Sequence, residues 1–280
     1  MSAALKIVAT PIGNLRDISL RAIDEIGRAD IILAEDTRSS LMLIKALGIE
    51  LKSDCRLISC DAHRELQRLS LVLEYLAKNH RVLLISDAGC PVISDPGSLL
   101  IQAVVKQGFK IEVIPGPSAQ TAALMGAGID TTRFAFLGFL PKKSSHRRQM
   151  IVSAIDAGLS LVIYEAPLRV KDLLAELAQI LGPRRVVVAR ELTKIFETFH
   201  RGILGDELDP PLIMKGECVV VVEVGDKPVS EPEQPLDISN VINILSEQGL
   251  SHKDIVKSLV NQFKLKKSQA YDLVLRHKPG

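Results

Sequence analysis

The 280-residue chain has no tryptophan, few aromatics of any kind, only four cysteines and almost no net charge. Each shortage removes a class of protein. Cys55, Cys60, Cys90 and Cys218 form no Cys-x-x-Cys pair, and no histidine cluster accompanies them, so neither a zinc site nor a disulfide framework is expected. No metal is expected at all. Free thiols in apolar surroundings suit a reducing compartment. Apolar runs such as residues 81–85 fall far short of the roughly 20 residues that span a bilayer. The chain does not open on a basic segment followed by an apolar one. A cytoplasmic protein without membrane contact is therefore expected. Gly-x-Gly-x-x-Gly and Gly-x-x-x-x-Gly-Lys-Ser/Thr are both missing, which disfavours a nicotinamide site and a P-loop.

What the chain does have is core-forming material. Hydrophobic residues make up 47%, too many for a disordered chain. From the start, short apolar runs alternate with amphipathic ones. Strands are predicted over 6–10, 31–34, 56–59, 82–86 and 111–114. Helices are predicted over 19–28, 39–47, 65–78, 98–106 and 118–126, with Ser19 capping the first. This alternation argues an α/β domain with a mainly parallel sheet, residues 1–126. A different pattern follows, with strand-like runs at 186–190, 197–201 and 218–224 in close succession. A second, mixed α/β domain over 127–226 is expected. Residues 226–235 are rich in Pro, Glu and Ser and read as a tether. Three short helical patterns then form a module over 236–280, whose net charge of +3 leaves −1 for the rest. That module resembles a helix-turn-helix unit, with a plain packing bundle as the alternative.

The most informative residues sit where predicted strands end. Thr10-Pro11-Ile12-Gly13-Asn14, Ser86-Asp87-Ala88-Gly89-Cys90-Pro91 and Pro115-Gly116-Pro117-Ser118-Ala119 are three stiff, glycine-bearing turns. Open α/β sheets bind ligands beyond the carboxyl ends of their strands. One such turn is often only geometry, but three in one domain favour a ligand crevice.

The run Ser86-Asp87-Ala88-Gly89-Cys90-Pro91-Val92-Ile93-Ser94-Asp95-Pro96-Gly97 resembles the signature of the ribosomal RNA small subunit methyltransferase I family, of the tetrapyrrole-methylase superfamily. Ordered motifs along nearly the whole chain share the likeness. They are residues 10–15, Glu35-Asp36-Thr37-Arg38, Gly138-Phe139-Leu140-Pro141, Tyr164-Glu165, residues 189–194 and Lys215-Gly216-Glu217. The resemblance implies two α/β domains of the tetrapyrrole-methylase type with a small helical C-terminal module. It also implies S-adenosylmethionine in the cleft between them, a homodimer, and 2′-O-methylation of a cytidine ribose in the decoding region of 16S rRNA. The chain departs from the pattern at Cys90, where a threonine is expected, and at Asp61-Ala62-His63-Arg64-Glu65, where a His-rich segment is expected.

On that likeness, Pro11, Ala88, Gly89, Val92, Ile93, Gly116, Ser118 and Ala119 are the expected cofactor contacts. Tyr164 and Gly216, with Glu217, are expected to line the second side, although Tyr164 would serve equally as a core aromatic. Asp87 reads as a turn-former. For catalysis the candidates are Glu191, Lys194, Asp36 and Arg38, with no base assigned. Lys194 would need a lowered pKa to accept a proton, or would contact phosphate instead. Glu191 would act as the base or simply pair with a neighbour, and Asp36 and Arg38 would otherwise form an ion pair. Lys142, Lys143, Arg147 and Arg148, with His146, make a basic cluster. It reads as an RNA contact in preference to a solvated face. Two rival functions remain: a methylase of a corrin- or porphyrin-like molecule, and a non-enzymatic nucleic-acid-binding regulator.

Overall fold

A computed structural model describes residues 4–62, 64–224, 242, 245–246, 250–263 and 267–276. Met1–Gly225 form one compact unit and Asp226–Gly280 another.

The first unit holds two five-stranded sheets. Strands β1 (Ala4–Val8), β2 (Ile31–Ala34), β3 (Arg56–Ser59), β4 (Val82–Ile85) and β5 (Lys110–Ile114) pair in the order β3-β2-β4-β1-β5. Every pairing in that sheet is parallel. The two continuously buried strands, Ile31–Ala34 and Val82–Ile85, are the apolar runs that a sheet covered on both faces requires. Helices α1 (Leu20–Gly27), α2 (Thr37–Ala46), α3 (Glu65–Ala77), α4 (Ser98–Lys106) and α5 (Ala119–Gly126) connect or follow them. The Ser19 hydroxyl accepts from the Ala22 amide at 3.1 Å, the cap the sequence predicts. Glu65, buried, reaches across to accept from the Leu100 amide at 2.7 Å, placing a carboxylate on the first turn of α4.

The second sheet runs β6-β7-β10-β8-β9, from β6 (Phe134–Phe139), β7 (Ser160–Glu165), β8 (Arg185–Arg190), β9 (Thr198–Ile203) and β10 (Cys218–Val222). Only β6 and β7 are parallel, and the rest are antiparallel, so the mixed sheet expected from the crowded strand-like runs is present. Helices α6 (Ser144–Asp156) and α7 (Pro167–Leu181) complete this half. Its core includes Ile151, Leu161, Ile163, Val170, Leu177, Val188 and Val220, all buried. Full burial of each such side chain contributes about 1.5–3 kcal/mol.

In the second unit, α8 (His252–Phe263) and α9 (Lys267–Arg276) share a core of Ile255, Val256, Leu259, Ala270 and Val274, joined by Ile242. Ser251 caps α8, accepting from the Asp254 amide. The expected tether lies outside the described residues, as do His63, most of the first helical pattern of the tail, and Lys264 and Lys266, which with Lys267 form a second candidate basic patch in the sequence.

Candidate active site

The carboxyl ends of β1, β4, β5, β6, β7 and β8, with the start of β10, surround a cavity of about 420 Å³. Backbone bonds hold its first wall. The Thr10 amide donates to the Gly89 carbonyl at 2.8 Å, and the Gly89 amide returns a bond to Thr10 at 3.1 Å. The Thr10 hydroxyl donates to Ser86 O at 3.2 Å, and the Ser86 hydroxyl to Gly89 O at 3.1 Å. The loops after β1 and β4 are thereby fixed to each other before any ligand arrives.

Of the expected cofactor contacts, Ala88, Gly89, Ile93, Ser118, Ala119, Tyr164 and Gly216 line the cavity, with Glu217. Pro11, Val92 and Gly116 are not among its lining residues. Pro11 is buried between the bridging Thr10 and the lining Ile12. Val92 packs into the core of the first sheet, with φ at 75°. Gly116 passes so close to Ala9 that an added Cβ would sit 3.0 Å from the Ala9 Cβ, so its small size serves packing. Val92 and Ser94 both hold positive φ, on either side of Ile93. Such a conformation in a β-branched residue is strained, and strain of this kind gathers at ligand loops.

Several further lining residues lie within the quoted motifs but are not singled out as contacts from the sequence. Ile12, Ser94, Asp95, Phe139 and Leu192 all face the cavity. Asp95 and Ser94 fall inside the signature run, and Phe139 inside the Gly-Phe-Leu-Pro motif. Cys90 also lines it and donates its thiol to Pro117 O at 3.3 Å. Burial pushes that thiol's pKa up, so it stays protonated and able to donate. Tyr164 accepts from the Gln120 amide at 3.1 Å and meets Phe136 and Phe139 edge-on, with ring centroids 4.9 and 5.6 Å away.

The four expected catalytic residues lie off the cavity. Lys194 donates to Glu191 at 3.0 Å and to Glu217 at 2.9 Å, and the Glu217 amide donates to Glu191 at 3.0 Å. Burial works against the charge on Lys194, but the Glu217 and Glu191 carboxylates outweigh it and hold the ammonium above its ordinary pKa. That is the opposite of what a base requires. Burial likewise opposes the charge on Glu191, and the Lys194 and Glu217 hydrogen bonds outweigh it, holding Glu191 below its ordinary value. Asp36 is the N-cap of α2, accepting from the Arg38 amide at 2.7 Å, so the anticipated Asp36–Arg38 ion pair is replaced by a side-chain-to-backbone cap.

The basic cluster divides. Arg147 is held by Glu176, with nitrogen–oxygen distances of 3.0 and 2.6 Å, and is not available as a free phosphate contact. Lys142 and Arg148 carry no ion pair among the described residues, and Lys143 stands at the N-cap of α6. Lys142 lines a smaller cavity of about 230 Å³ that shares Glu165 with the main one.

The chain matches the family model "Tetrapyrrole (Corrin/Porphyrin) Methylases" over residues 4–207. It is 42% identical over 206 residues to ribosomal RNA small subunit methyltransferase I of Neisseria meningitidis serogroup B, covering 74% of this chain and 69% of the relative. The protein of the same name from Haemophilus influenzae is 34% identical over 282 residues, covering 99% and 98%. The chain belongs to the ribosomal RNA small subunit methyltransferase I family. Among solved structures, diphthine synthase superposes with a TM-score of 0.62 at 18% identity, covering 79% of this chain and 90% of that one. The methyltransferase CobJ gives 0.60 at 20%, covering 79% and 94%. Both share the fold.

Members of the methyltransferase I family and of the tetrapyrrole methylases use S-adenosylmethionine as methyl donor, and the cavity suits that molecule. The described wall holds Asp95, Glu165 and Glu217 but no lysine, arginine or histidine, which favours a cationic sulfonium over a phosphate-bearing ligand. Glu165 is already paired with Arg169, and Glu217 with Lys194, so Asp95 carries the unbalanced charge facing the cavity.

More carboxylates stand beside it. Burial, and then the charges of Asp95, Asp87, Asp61 and Asp36, hold Glu35 above its ordinary pKa. A folded chain that binds a proton more tightly than the unfolded one loses stability as pH rises through that raised pKa. Glu35→Gln is therefore expected to raise Tm near neutral pH and change it little in acid. Calorimetry at both pH values checks this, and a lower Tm at neutral pH would show that the charge is compensated.

Proposed function

We propose that this chain is an S-adenosylmethionine-dependent methyltransferase of small-subunit ribosomal RNA. Its acceptor is the 2′-oxygen of a cytidine ribose in the decoding region of 16S rRNA. The observation that carries the reading is the conjunction of an anionic, phosphate-averse cofactor cavity with relatives of that name spanning the whole chain. S-adenosylmethionine supplies a methyl group on a positively charged sulfur, which leaves as a neutral thioether.

The chain's part is alignment and proton removal. The loops after β1 and β4, already fixed to each other by the Thr10–Gly89 bridge, would hold the donor, and such positioning lowers a barrier by several kcal/mol. A ribose hydroxyl is a weak nucleophile, so a positioned base helps. Asp95 is our candidate. It faces the cavity, and burial raises its pKa, with Asp87 adding to the effect and a hydrogen bond from Ser86 opposing it. We assign the chain to the small ribosomal subunit as partner, and to the homodimer its family implies.

RNA contact falls to Lys142, Lys143 and Arg148, which leave the cofactor cavity untouched. Lys142→Ala with Arg148→Ala is expected to weaken RNA binding and to lower its logarithmic salt slope by roughly 1–2, since each lost phosphate contact contributes a little under one. Cofactor affinity should stay as it was. An unaltered slope would make the cluster a solvated face. The function itself is tested by mapping ribose methylation in ribosomal RNA from cells with and without the protein. Identical maps would remove it.

A further inference from the structure

We propose that Phe139 is the platform on which the base of the target nucleotide stacks, and that the RNA strand enters over the rim formed by the end of β6 and the start of α6. This rests on the reading of the chain as an RNA methyltransferase and adds the residue that receives the base.

Phe139 lines the cofactor cavity yet remains 58% exposed. Its contact with Tyr164 fixes the ring, while most of its surface stays open at the mouth. Water gains nothing from an ordered aromatic ring, whereas a nucleobase does, because every base has a π-face. The residue before it explains the placement. Gly138 has φ at 58°, and an added Cβ would lie 2.9 Å from the Ser94 hydroxyl, so the backbone here runs against the opposite wall. Ile93, next to Ser94 and 43% exposed, also lines the cavity. An aromatic and an aliphatic side chain thus stand at the entrance to a site whose proposed acceptor belongs to a single nucleotide.

Charge selects the side of approach. Asp36, Asp87 and Asp95 lie close enough to Glu35 to act on it, and this group of carboxylates disfavours a phosphate chain at the first-sheet rim. On the other side Phe139 is followed, after Leu140 and Pro141, by Lys142 and Lys143. A strand whose base rests on Phe139 has its flanking phosphates within reach of those lysines.

The chain's lack of tryptophan makes the test direct. Phe139→Trp introduces the chain's sole tryptophan, and its emission should be quenched on titration with protein-free small-subunit rRNA, which brings no tryptophan of its own. Phe139→Ala should lower kcat/KM for small ribosomal subunits by roughly tenfold or more, the range expected for a lost base stack, and by a clearly larger factor than it lowers S-adenosylmethionine affinity. Phe139→Tyr should restore the activity and Phe139→Leu should not. Full activity in Phe139→Ala overturns the proposal. So does equal loss of cofactor affinity, which would make the ring part of the cofactor wall, or full rescue by leucine, which would make it mere bulk. A wild-type protein that binds the cofactor and methylates no RNA would instead overturn the underlying reading, and this proposal with it.

Discussion

Gly89→Val is expected to abolish S-adenosylmethionine binding while leaving a folded chain. Gly89 holds φ at 78°, and an added Cβ would stand 3.2 Å from Ile12 Cγ2, itself a lining group. A β-branched residue there is strained by about 1–3 kcal/mol whatever the available space. Relief of that strain moves the loop that carries Ala88 and Ile93, and with it the Thr10–Gly89 bridge. Gly48→Val separates strain from site. Gly48 has φ at 67° with nothing within 4 Å of an added Cβ, so it should lose comparable stability and no affinity. Calorimetric titration of both variants decides the matter. Unchanged affinity in folded Gly89→Val would place the cofactor elsewhere.

Asp95→Asn should lower kcat by about 10²–10⁴, the usual contribution of a positioned general base. The side chain keeps its shape and loses its proton affinity. A base works only when ionised, and the Asp95 pKa is raised by burial and by Asp87. The wild-type rate should therefore climb with pH through a limb shifted above the ordinary aspartate value. That limb should vanish in Asp95→Asn. Single-turnover rates across pH give the measurement. A variant that retains both its rate and its pH limb would assign proton removal to solvent or to another group.

Local chemistry made much of the architecture legible. The Ser19 cap, the buried runs of β2 and β4, and the change from a parallel to a mixed sheet all follow from short-range pattern. The turns after β1, β4 and β5 also announced a cavity at the strand ends, which is where it lies. What escaped depends on partners distant in sequence. Lys194 was a candidate base until Glu217, 23 residues on, was seen to hold its proton. Asp36 follows a strand and begins a helix, and sequence cannot tell a ligand contact from a cap when both want a carboxylate there. Asp95 stands in the sequence only as one residue of the signature run, and the fold shows it lining the cavity. Phe139 belongs to an apolar run that reads as core, and only the fold shows the ring standing open. Arg147 looked like part of a uniform basic patch because Glu176, one helix away, was not visible as its partner.

The most direct test is methyl transfer itself. Purified protein, S-adenosylmethionine with a labelled methyl group, and small ribosomal subunits from cells lacking the protein are combined, and the labelled nucleotide is identified by mass spectrometry. The expected product is a single methyl on the ribose 2′-oxygen of a cytidine in 16S rRNA, which renders the adjoining phosphodiester resistant to alkali. Label on a base, or no label in RNA from a protein that methylates a corrin or porphyrin instead, would contradict it.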